Sequence, residues 1–351
     1  MRVVGIGGGS GLSSLLRGLS DYSCAEQVEH RPGLEITGVV SVADDGGSSG
    51  LLRDDLAIPA VGDLRNCIVA LSQDNPLWAE LFQHRFLSGN GLAGHALGNL
   101  IVAALVQRSG GLQAAVELLA RPMQLAGQLL PVTEERVSLC AKLASGEVVC
   151  GESQIRERRG QITDLWLEPG FPAAGGGVLD AIAAADAIVL GPGSLFTSAL
   201  PNLLVAGVAD AIRSSGALRI FVCNLITEPG ETDGFDAADH LMAIERYLGV
   251  GAVDVCVVNN ASLPAEAARR YAANGSTAVC WEPHLFSDKS TVAVAADLLA
   301  TVDSLGRHDS AKLARVIVSL ATTLRRQSIP CLPPSGLRAH AALDGSGLRV
   351  A

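Results

Sequence analysis

A glycine-rich loop near the start of the sequence has the residue types of a phosphate site. Residues 7–11 read Gly-Gly-Gly-Ser-Gly and separate a short apolar segment from one with helical periodicity. Glycines allow backbone N–H groups to approach an anion, and the N-terminal end of a following helix adds positive charge. The loop therefore predicts phosphate binding, with a plain tight turn as the alternative. The candidate residues are Gly8, Gly9, Ser10 and Gly11.

A second loop, residues 191–194, repeats this plan. Its sequence, Gly-Pro-Gly-Ser, also follows an apolar segment and precedes a helical pattern. The alternative to a ligand site is a turn in which Ser194 caps the helix. Two such loops at one edge of a sheet suit a diphosphate. The candidate residues here are Gly191, Gly193 and Ser194.

Neither loop carries a standard nucleotide fingerprint. Both lack the G-x-G-x-x-G pattern of dinucleotide enzymes and the G-x-x-x-x-G-K-[ST] pattern of the P-loop. The first acidic pair begins at Asp44, which is 33 residues beyond Gly11. The acid of a dinucleotide site lies about 20 residues beyond its glycines. A dinucleotide dehydrogenase is therefore a poor fit.

An acidic loop, residues 44–50, has the sequence Asp-Asp-Gly-Gly-Ser-Ser-Gly. Two carboxylates about 4 Å apart repel by about 1 kcal/mol in water and by about 4 kcal/mol at an effective dielectric constant of 20. A protein that places them together at a strand end usually supplies a cation, a proton or sugar hydroxyls. Mg²⁺ is one candidate, because it takes one or two carboxylates together with substrate phosphates. A solvated Asx turn is the alternative. The candidate residues are Asp44, Asp45, Ser48 and Ser49, of which the two aspartates are also the candidate Mg²⁺ ligands.

Three further polar segments contain candidate ligand contacts. Asp63 is predicted to cap a helix, and the two residues at 65–66 in its first turn could reach an anion. Residues 94–99 place a histidine and an asparagine four positions apart on one helix face, where a structural role for the histidine is equally open. Residues 223–234 carry amide, hydroxyl and carboxyl groups that could hold a base or ribose. The candidates are Arg65, Asn66, His95, Asn99, Asn224, Thr227 and Asp233.

The elements that position these loops alternate between strand and helix. Segments with helical periodicity separate the apolar segments 3–6, 36–42, 187–190, 219–223 and 253–258. This rhythm predicts a Rossmann-like α/β fold, with a mostly parallel sheet covered by helices on both faces. Ligands of such sheets bind beyond the carboxyl ends of the strands. The polar loops all follow strands, so we expect them to converge on one rim.

The chain is predicted to form a single α/β domain over residues 1–325. It includes a helical insertion at about 76–120 and a β-hairpin at about 137–151, and residues 326–351 are predicted to be a flexible tail. The basic run 156–159 is predicted to be a solvated turn. The eight cysteines include no C-x-x-C pair, which predicts reduced thiols rather than a metal site.

Composition limits the classes of partner. With 26 Lys and Arg against 36 Asp and Glu, the formal net charge is −10, which is unlike a nucleic-acid-binding protein. Hydrophobic residues make up 48% of the chain, which excludes a disordered protein. No apolar run is long enough for a membrane span, and no signal-peptide pattern is present. The sequence therefore predicts a cytoplasmic protein that does not bind nucleic acid and does not span a membrane.

Six motifs in order resemble the YvcK family of gluconeogenesis factors, within the CofD-like superfamily. They are residues 7–12, 43–50, 62–66, 94–100, 191–195 and 230–234. The resemblance covers residues 1–325. It implies a cytoplasmic bacterial protein that supports cell shape on gluconeogenic carbon sources. It also implies binding of UDP-sugars, notably UDP-N-acetylglucosamine, a precursor of peptidoglycan.

The resemblance implies two further site residues and one alternative function. Matching A-x-x-x-Y-A and L-x-R-H places the UDP-sugar contacts on Tyr271 and Arg307. The related CofD enzymes are Mg²⁺-dependent transferases of the 2-phospho-L-lactate type that use a nucleotide diphosphate donor, and Asp44 and Asp45 would then hold the metal. A ligand-binding regulator is favoured, because the 94–99 and 231–234 motifs follow the YvcK pattern. Protein partners in cell-wall synthesis and a homo-oligomer are left open.

Overall fold

The computed structural model describes residues 1–28, 33–72, 76–300, 307–326, 341–344 and 347–350. The strands are β1 (Arg2–Gly7), β2 (Glu35–Val40), β3 (Gln128–Pro131), β4 (Ser138–Leu143), β5 (Val148–Cys150), β6 (Ile162–Glu168), β7 (Ala187–Leu190), β8 (Leu218–Val222), β9 (Val255–Asn259), β10 (Val292–Ala296), β11 (Ala341–Asp344) and β12 (Gly347–Val350). The helices are α1 (Gly9–Val28), α2 (Gly47–Leu56), α3 (Gly62–Leu71), α4 (Pro76–Gln83), α5 (Leu97–Ser109), α6 (Leu112–Ala120), α7 (Glu152–Arg158), α8 (Val178–Ala184), α9 (Leu200–Leu203), α10 (Val208–Ser214), α11 (Ala237–Leu248), α12 (Ala265–Ala273) and α13 (Ser310–Arg326). A π-helical turn, Leu195–Ala199, runs directly into α9.

The main sheet has the strand order β3-β2-β1-β7-β8-β9-β10-β11-β12. Its neighbours pair in parallel, except β11 with β12. In β1 and β7, consecutive residues are buried although their side chains point to opposite faces. Both faces of the sheet are therefore covered, as expected for parallel strands. This arrangement confirms the predicted α/β fold.

The first helix connects β1 to the rest of the core. Its leucines at 12, 15, 16 and 19 are all fully buried, because their spacing places them on one helix face. Through this region α1 packs against α3 and α13. A second group of helices contains α8, α10 and α11, which pack in succession, and α8 also contacts β1. The glycine loop at the start of α1 is thus held between a buried strand and a buried helix.

Between β3 and β7 the chain forms a second, small antiparallel sheet with the order β5-β4-β6. Strands β4 and β5 form the hairpin expected at about 137–151. Cys140 and Cys150 are paired across this hairpin and joined by a disulfide. The prediction of reduced thiols is wrong for this pair, because the sequence does not show that the two residues face each other. The free cysteines among the described residues are Cys24, Cys67, Cys223, Cys256 and Cys280.

The segment expected to be helical at 76–120 contains α4, α5 and α6, but residues 84–96 form a loop. Gly89, Gly91 and Gly94 adopt positive φ angles there, which interrupt a helix.

At the other end of the chain, β11 and β12 lie within 326–351, where a flexible tail is predicted, and residues 327–340 of that segment lie outside the described part. No single described helix is long and apolar enough to cross a membrane. Two helical segments, Leu195–Leu203 and Val208–Ser214, have the length and composition of a membrane span only when they are taken together, and they are bent by 77° relative to each other.

Candidate functional site

A cleft of about 380 Å³ opens where the loops after β1, β7 and β8 meet. Strands β2 and β3 lie on one side of β1, and β7 and the later strands of the main sheet lie on its other side. The strand order therefore reverses at β1. A crevice at such a reversal of strand order is where open α/β sheets bind ligands. The predicted site residues that line the cleft are Gly9, Ser10, Gly11, Asp44, Gly193, Ser194, Asn224, Tyr271 and Arg307.

The two glycine loops pack directly against each other. A Cβ atom on Gly11 would lie 2.1 Å from the carbonyl oxygen of Pro192 and 2.7 Å from the backbone nitrogen of Gly193. A Cβ on Gly8 would lie 2.4 Å from the Asp63 carboxyl oxygen Oδ2. Gly9 and Gly191 have φ angles of +62° and +77°, which favour glycine. The absence of side chains therefore lets the two loops form one continuous backbone surface.

The two adjacent aspartates point to different partners. Asp44 lines the cleft, accepts the N–H of Gly46 at 2.8 Å and bonds the Ser49 hydroxyl. Burial raises the pKa of Asp44 above its ordinary value, and the neighbouring charge of Asp45 adds to this. Asp45 accepts the N–H of Ser153 at 2.9 Å with Oδ1. Asp44 is thus available to a ligand, while Asp45 fixes the start of α7.

Asp63 contributes to the cleft in a way that sequence reasoning missed. Its predicted role as a helix cap is wrong, because α3 begins at Gly62 and Val61 occupies the cap position. The Asp63 carboxylate instead accepts the N–H of Gly9 and lines the cleft. Desolvation by burial, with a further contribution from the charge of Asp44, raises the pKa of Asp63 from 3.8 to about 7. A carboxyl group therefore already occupies one amide of the first glycine loop.

Arg156 also lines the cleft, although the basic run 156–159 is predicted to be a solvated turn. Its Nη2 lies 2.6 Å from Glu152 Oε1, and its Nε donates to Glu231 Oε1 at 3.2 Å. The same Nη2 donates to the hydroxyls of Ser194 and Thr197 at 3.3 and 3.2 Å. The turn prediction is wrong for Arg156, because the small sheet carries α7 to the rim of the cleft.

His308 is a further cleft residue that the sequence did not single out. It follows Arg307, and its ring bonds the backbone carbonyl of Cys223. Its Nε2 is buried and has no hydrogen-bond partner among the described residues. Burial lowers the pKa of His308 to about 4, so the ring is neutral at pH 7. The histidine of the L-x-R-H match is the signal that could have indicated it.

The remaining predicted site residues support the loops and do not line the cleft. The Ser48 hydroxyl is 3.0 Å from His95 Nδ1 and accepts a bond of 3.1 Å from the Asn99 amide. Arg65 donates to its neighbour Asn66 at 2.7 Å. The others are tied to backbone groups: Ser49 accepts from Gly62 N–H, Thr227 from Thr277 N–H, and Asp233 from Gly230 N–H.

Comparison with known proteins places this architecture in a family. The family model described as 2-phospho-L-lactate transferase CofD matches residues 3–299. The gluconeogenesis factor of Bacillus subtilis is 40% identical over 314 residues, which cover 90% of this chain and 96% of that protein. The chain belongs to the YvcK family of gluconeogenesis factors, within the CofD superfamily.

A further curated relative and a solved structure agree with this chain over nearly their whole lengths. The gluconeogenesis factor of Halalkalibacterium halodurans is 40% identical over 316 residues, covering 90% of this chain and 95% of that protein. A crystal structure of a Bacillus halodurans protein has 40% identity and a TM-score of 0.85, and the match covers 90% of this chain and 98% of that one. The α/β fold described above is therefore also the fold of a solved relative.

The ionisable groups of this YvcK-family cleft are mostly carboxyl groups. The carboxyl groups of Asp44, Asp63, Glu152 and Glu228 line it, against the guanidinium groups of Arg156 and Arg307. No group of three or more His, Cys, Asp and Glu side chains in the described ranges is arranged to enclose a metal. Mg²⁺ needs only one or two carboxylates when phosphates complete its shell, and Asp44 and Asp63 have that chemistry. An anionic ligand would thus require a cation or protonated carboxyls.

Proposed function

We propose that this chain is a cytoplasmic UDP-sugar-binding protein, with UDP-N-acetylglucosamine as its ligand. The observation that carries the proposal is the convergence of two packed glycine loops with Tyr271 and Arg307 on one cleft. Backbone amides and a guanidinium fork are suited to a diphosphate, and an aromatic ring is suited to a base or sugar. These groups come from four distant parts of the chain, so their convergence is specific to the folded state.

The size of the cleft supports a ligand of this class. Its volume of about 380 Å³ lies within the range of roughly 300–1,000 Å³ found for small-molecule sites. Asn224 also lines it and offers amide groups that can hydrogen-bond a base or ribose. The cleft therefore offers groups suited to each part of a nucleotide sugar, which supports the proposal.

The proposed biological role is to couple peptidoglycan precursor supply to cell growth and shape on gluconeogenic carbon sources. It rests on the family, whose relatives in Bacillus subtilis and Halalkalibacterium halodurans are named gluconeogenesis factors. Recognition of the ligand without turnover suits such a role. Protein partners in cell-wall synthesis, or a second copy of the chain, would then distinguish the ligand-bound protein from the free one.

A second candidate function is a Mg²⁺-dependent transferase of the 2-phospho-L-lactate type. The match to the CofD family model over residues 3–299 favours it. Asp44 and Asp63 would hold the metal against the diphosphate, and the metal would stabilise charge on the leaving phosphate. Asp45 would act only indirectly, because its carboxylate bonds the backbone of Ser153.

Calorimetry with UDP-N-acetylglucosamine tests the binding proposal. Arg307→Ala and Tyr271→Ala should each weaken binding, and loss of the charge-assisted arginine contact should cost about 1.5–3 kcal/mol. Arg269→Ala is the matched control, because Arg269 lies on the same helix as Tyr271 and bonds the carbonyl of Ala265. Wild-type affinity in both cleft variants would overturn the proposal.

Prolonged incubation of the protein with UDP-N-acetylglucosamine and Mg²⁺ separates the two functions. A binding protein returns the nucleotide sugar unchanged. Release of UDP or UMP in proportion to protein, and its loss in Asp44→Asn, would establish the enzyme and overturn the binding-only role.

A further inference from the structure

We propose that Arg156 binds the diphosphate in this cleft, and that the diphosphate replaces Glu231 as its partner. The inference deepens the proposed function and rests on it. Sequence motifs give no hint of this residue, because it lies in a basic run between two strands of the small sheet. Its role emerges only from where α7 meets the second glycine loop.

Arg156 is already at the loop that we expect to bind phosphate. Its Nη2 donates to the hydroxyl of Ser194, the last residue of the second glycine loop, and to that of Thr197 in the turn that follows. About half of the Arg156 side chain is exposed, and the residue lines the cleft. A phosphate cradled by the Gly193 and Ser194 backbone would therefore lie within reach of a guanidinium group that can offer two parallel donors.

The carboxyl groups around Arg156 outnumber it. Glu152 and Glu231 contact it directly, and Glu228 contributes to the local field from the same loop as Glu231. Glu231 is almost completely buried, and its Oε2 has no hydrogen-bond partner among the described residues. Its Oε1 receives both Arg156 Nε and the Thr197 hydroxyl. Glu231 is thus a poorly satisfied carboxyl group whose ionised form depends on Arg156.

This imbalance explains how Arg156 can change partner. Burial raises the pKa of both Glu152 and Glu231, and the nearby charge of Glu228 raises that of Glu231 further. A diphosphate adds negative charge beside them and competes for the guanidinium group. Glu231 then takes a proton from solvent, with Thr197 retained as its hydrogen-bond partner. We therefore expect ligand binding to be accompanied by proton uptake.

A comparison of uridine, UMP, UDP and UDP-N-acetylglucosamine by calorimetry tests the contact. In Arg156→Gln, affinity for UDP and the UDP-sugar should fall roughly ten- to a hundredfold, while uridine binding is unchanged. The matched control is Arg158→Gln on the same helix, because Arg158 pairs with Glu147 outside the cleft. Equal loss for uridine and UDP, or wild-type UDP affinity in Arg156→Gln, would overturn the assignment.

A conservative variant covers the case in which Arg156→Gln does not fold. Arg156→Lys keeps the charge opposite Glu152 and Glu231 but loses the planar fork. It should melt cooperatively and still bind UDP less tightly than the wild type. Wild-type affinity for UDP in the lysine variant would overturn bidentate binding.

Glu231→Gln tests the exchange of partners separately. This variant should bind UDP at least as tightly as the wild type, because Arg156 is released in advance. Calorimetry in buffers of different ionisation enthalpy should show proton uptake in the wild type and less uptake in Glu231→Gln. Equal uptake in both proteins would overturn the role of Glu231. Absence of any UDP binding by the wild type would instead overturn the proposed function.

Discussion

Gly11→Ala should separate the two glycine loops. The added Cβ would lie 2.1 Å from the Pro192 carbonyl oxygen, 2.4 Å from its carbonyl carbon and 2.7 Å from the Gly193 nitrogen. Non-bonded heavy atoms prefer separations of about 3.5–4.0 Å, so the loops must move apart by more than about 1 Å. All three atoms belong to the backbone, so no side-chain rotation relieves the contact. Overpacking of this kind costs about 1–3 kcal/mol, and we expect the upper end of that range.

The assay is urea unfolding of the variant together with calorimetry of UDP-N-acetylglucosamine binding. Gly7→Ala is the control, because its Cβ would meet Leu12 at 3.6 Å, an ordinary contact. We expect Gly11→Ala to lose both stability and affinity, and Gly7→Ala to retain both. If Gly11→Ala unfolded at the same urea concentration as the wild type and bound the ligand with the same affinity, the proposal that the two packed glycine loops bind the ligand would be refuted.

Three further predictions concern the same rim. Gly9→Val should abolish UDP-sugar binding while the melt stays cooperative, because the φ angle of +62° disfavours valine and the side chain would cover the amides; intact affinity would make the loop a simple turn. Asp44→Asn should reduce any Mg²⁺ dependence of binding measured by calorimetry, whereas Asp45→Asn should chiefly lower the melting temperature, because Asp45 bonds Ser153; a reversed pattern would contradict these roles. The raised pKa of Asp63 means that the folded chain holds this proton more tightly than the unfolded chain. The unfolding free energy of the wild type should therefore fall relative to that of Asp63→Asn between about pH 4 and pH 7, by at most about 4 kcal/mol. If urea unfolding gave the same pH dependence for both proteins, the raised pKa would be contradicted.

The fold could be predicted from the sequence because its signals are local. Apolar segments and the leucine spacing of α1 identify a buried strand followed by an amphipathic helix, and repetition of that pattern implies a parallel sheet. The glycine loops were visible for the same reason, since each lies directly between a strand and a helix. The YvcK family assignment is likewise confirmed, by relatives that are 40% identical over 90% of this chain.

The side-chain roles at the cleft depend on tertiary contacts and were less predictable. Asp44 and Asp45 are equivalent in sequence, but only the position of α7 gives Asp45 a backbone partner at Ser153. Arg156 resembles its exposed neighbour Arg158 in sequence, and only the meeting of α7 with Glu231 separates them. Local patterns cannot report which residue of a helix faces a loop 75 positions away.

The position of β1 between β2 and β7, in the interior of the sheet, has a consequence for biosynthesis. Asp186, the residue directly before β7, accepts a hydrogen bond from the backbone N–H of Arg2, which lies 184 positions earlier in the chain. At translation rates of about 5–20 residues per second, β1 waits roughly 10–40 s for that neighbour to be made. During this interval one edge of β1, which is apolar from Val3 onward, is open to other chains, and the first glycine loop lacks the second. A nascent chain in this state has no cleft, so the UDP-sugar cannot assist its folding until the second half has been synthesised.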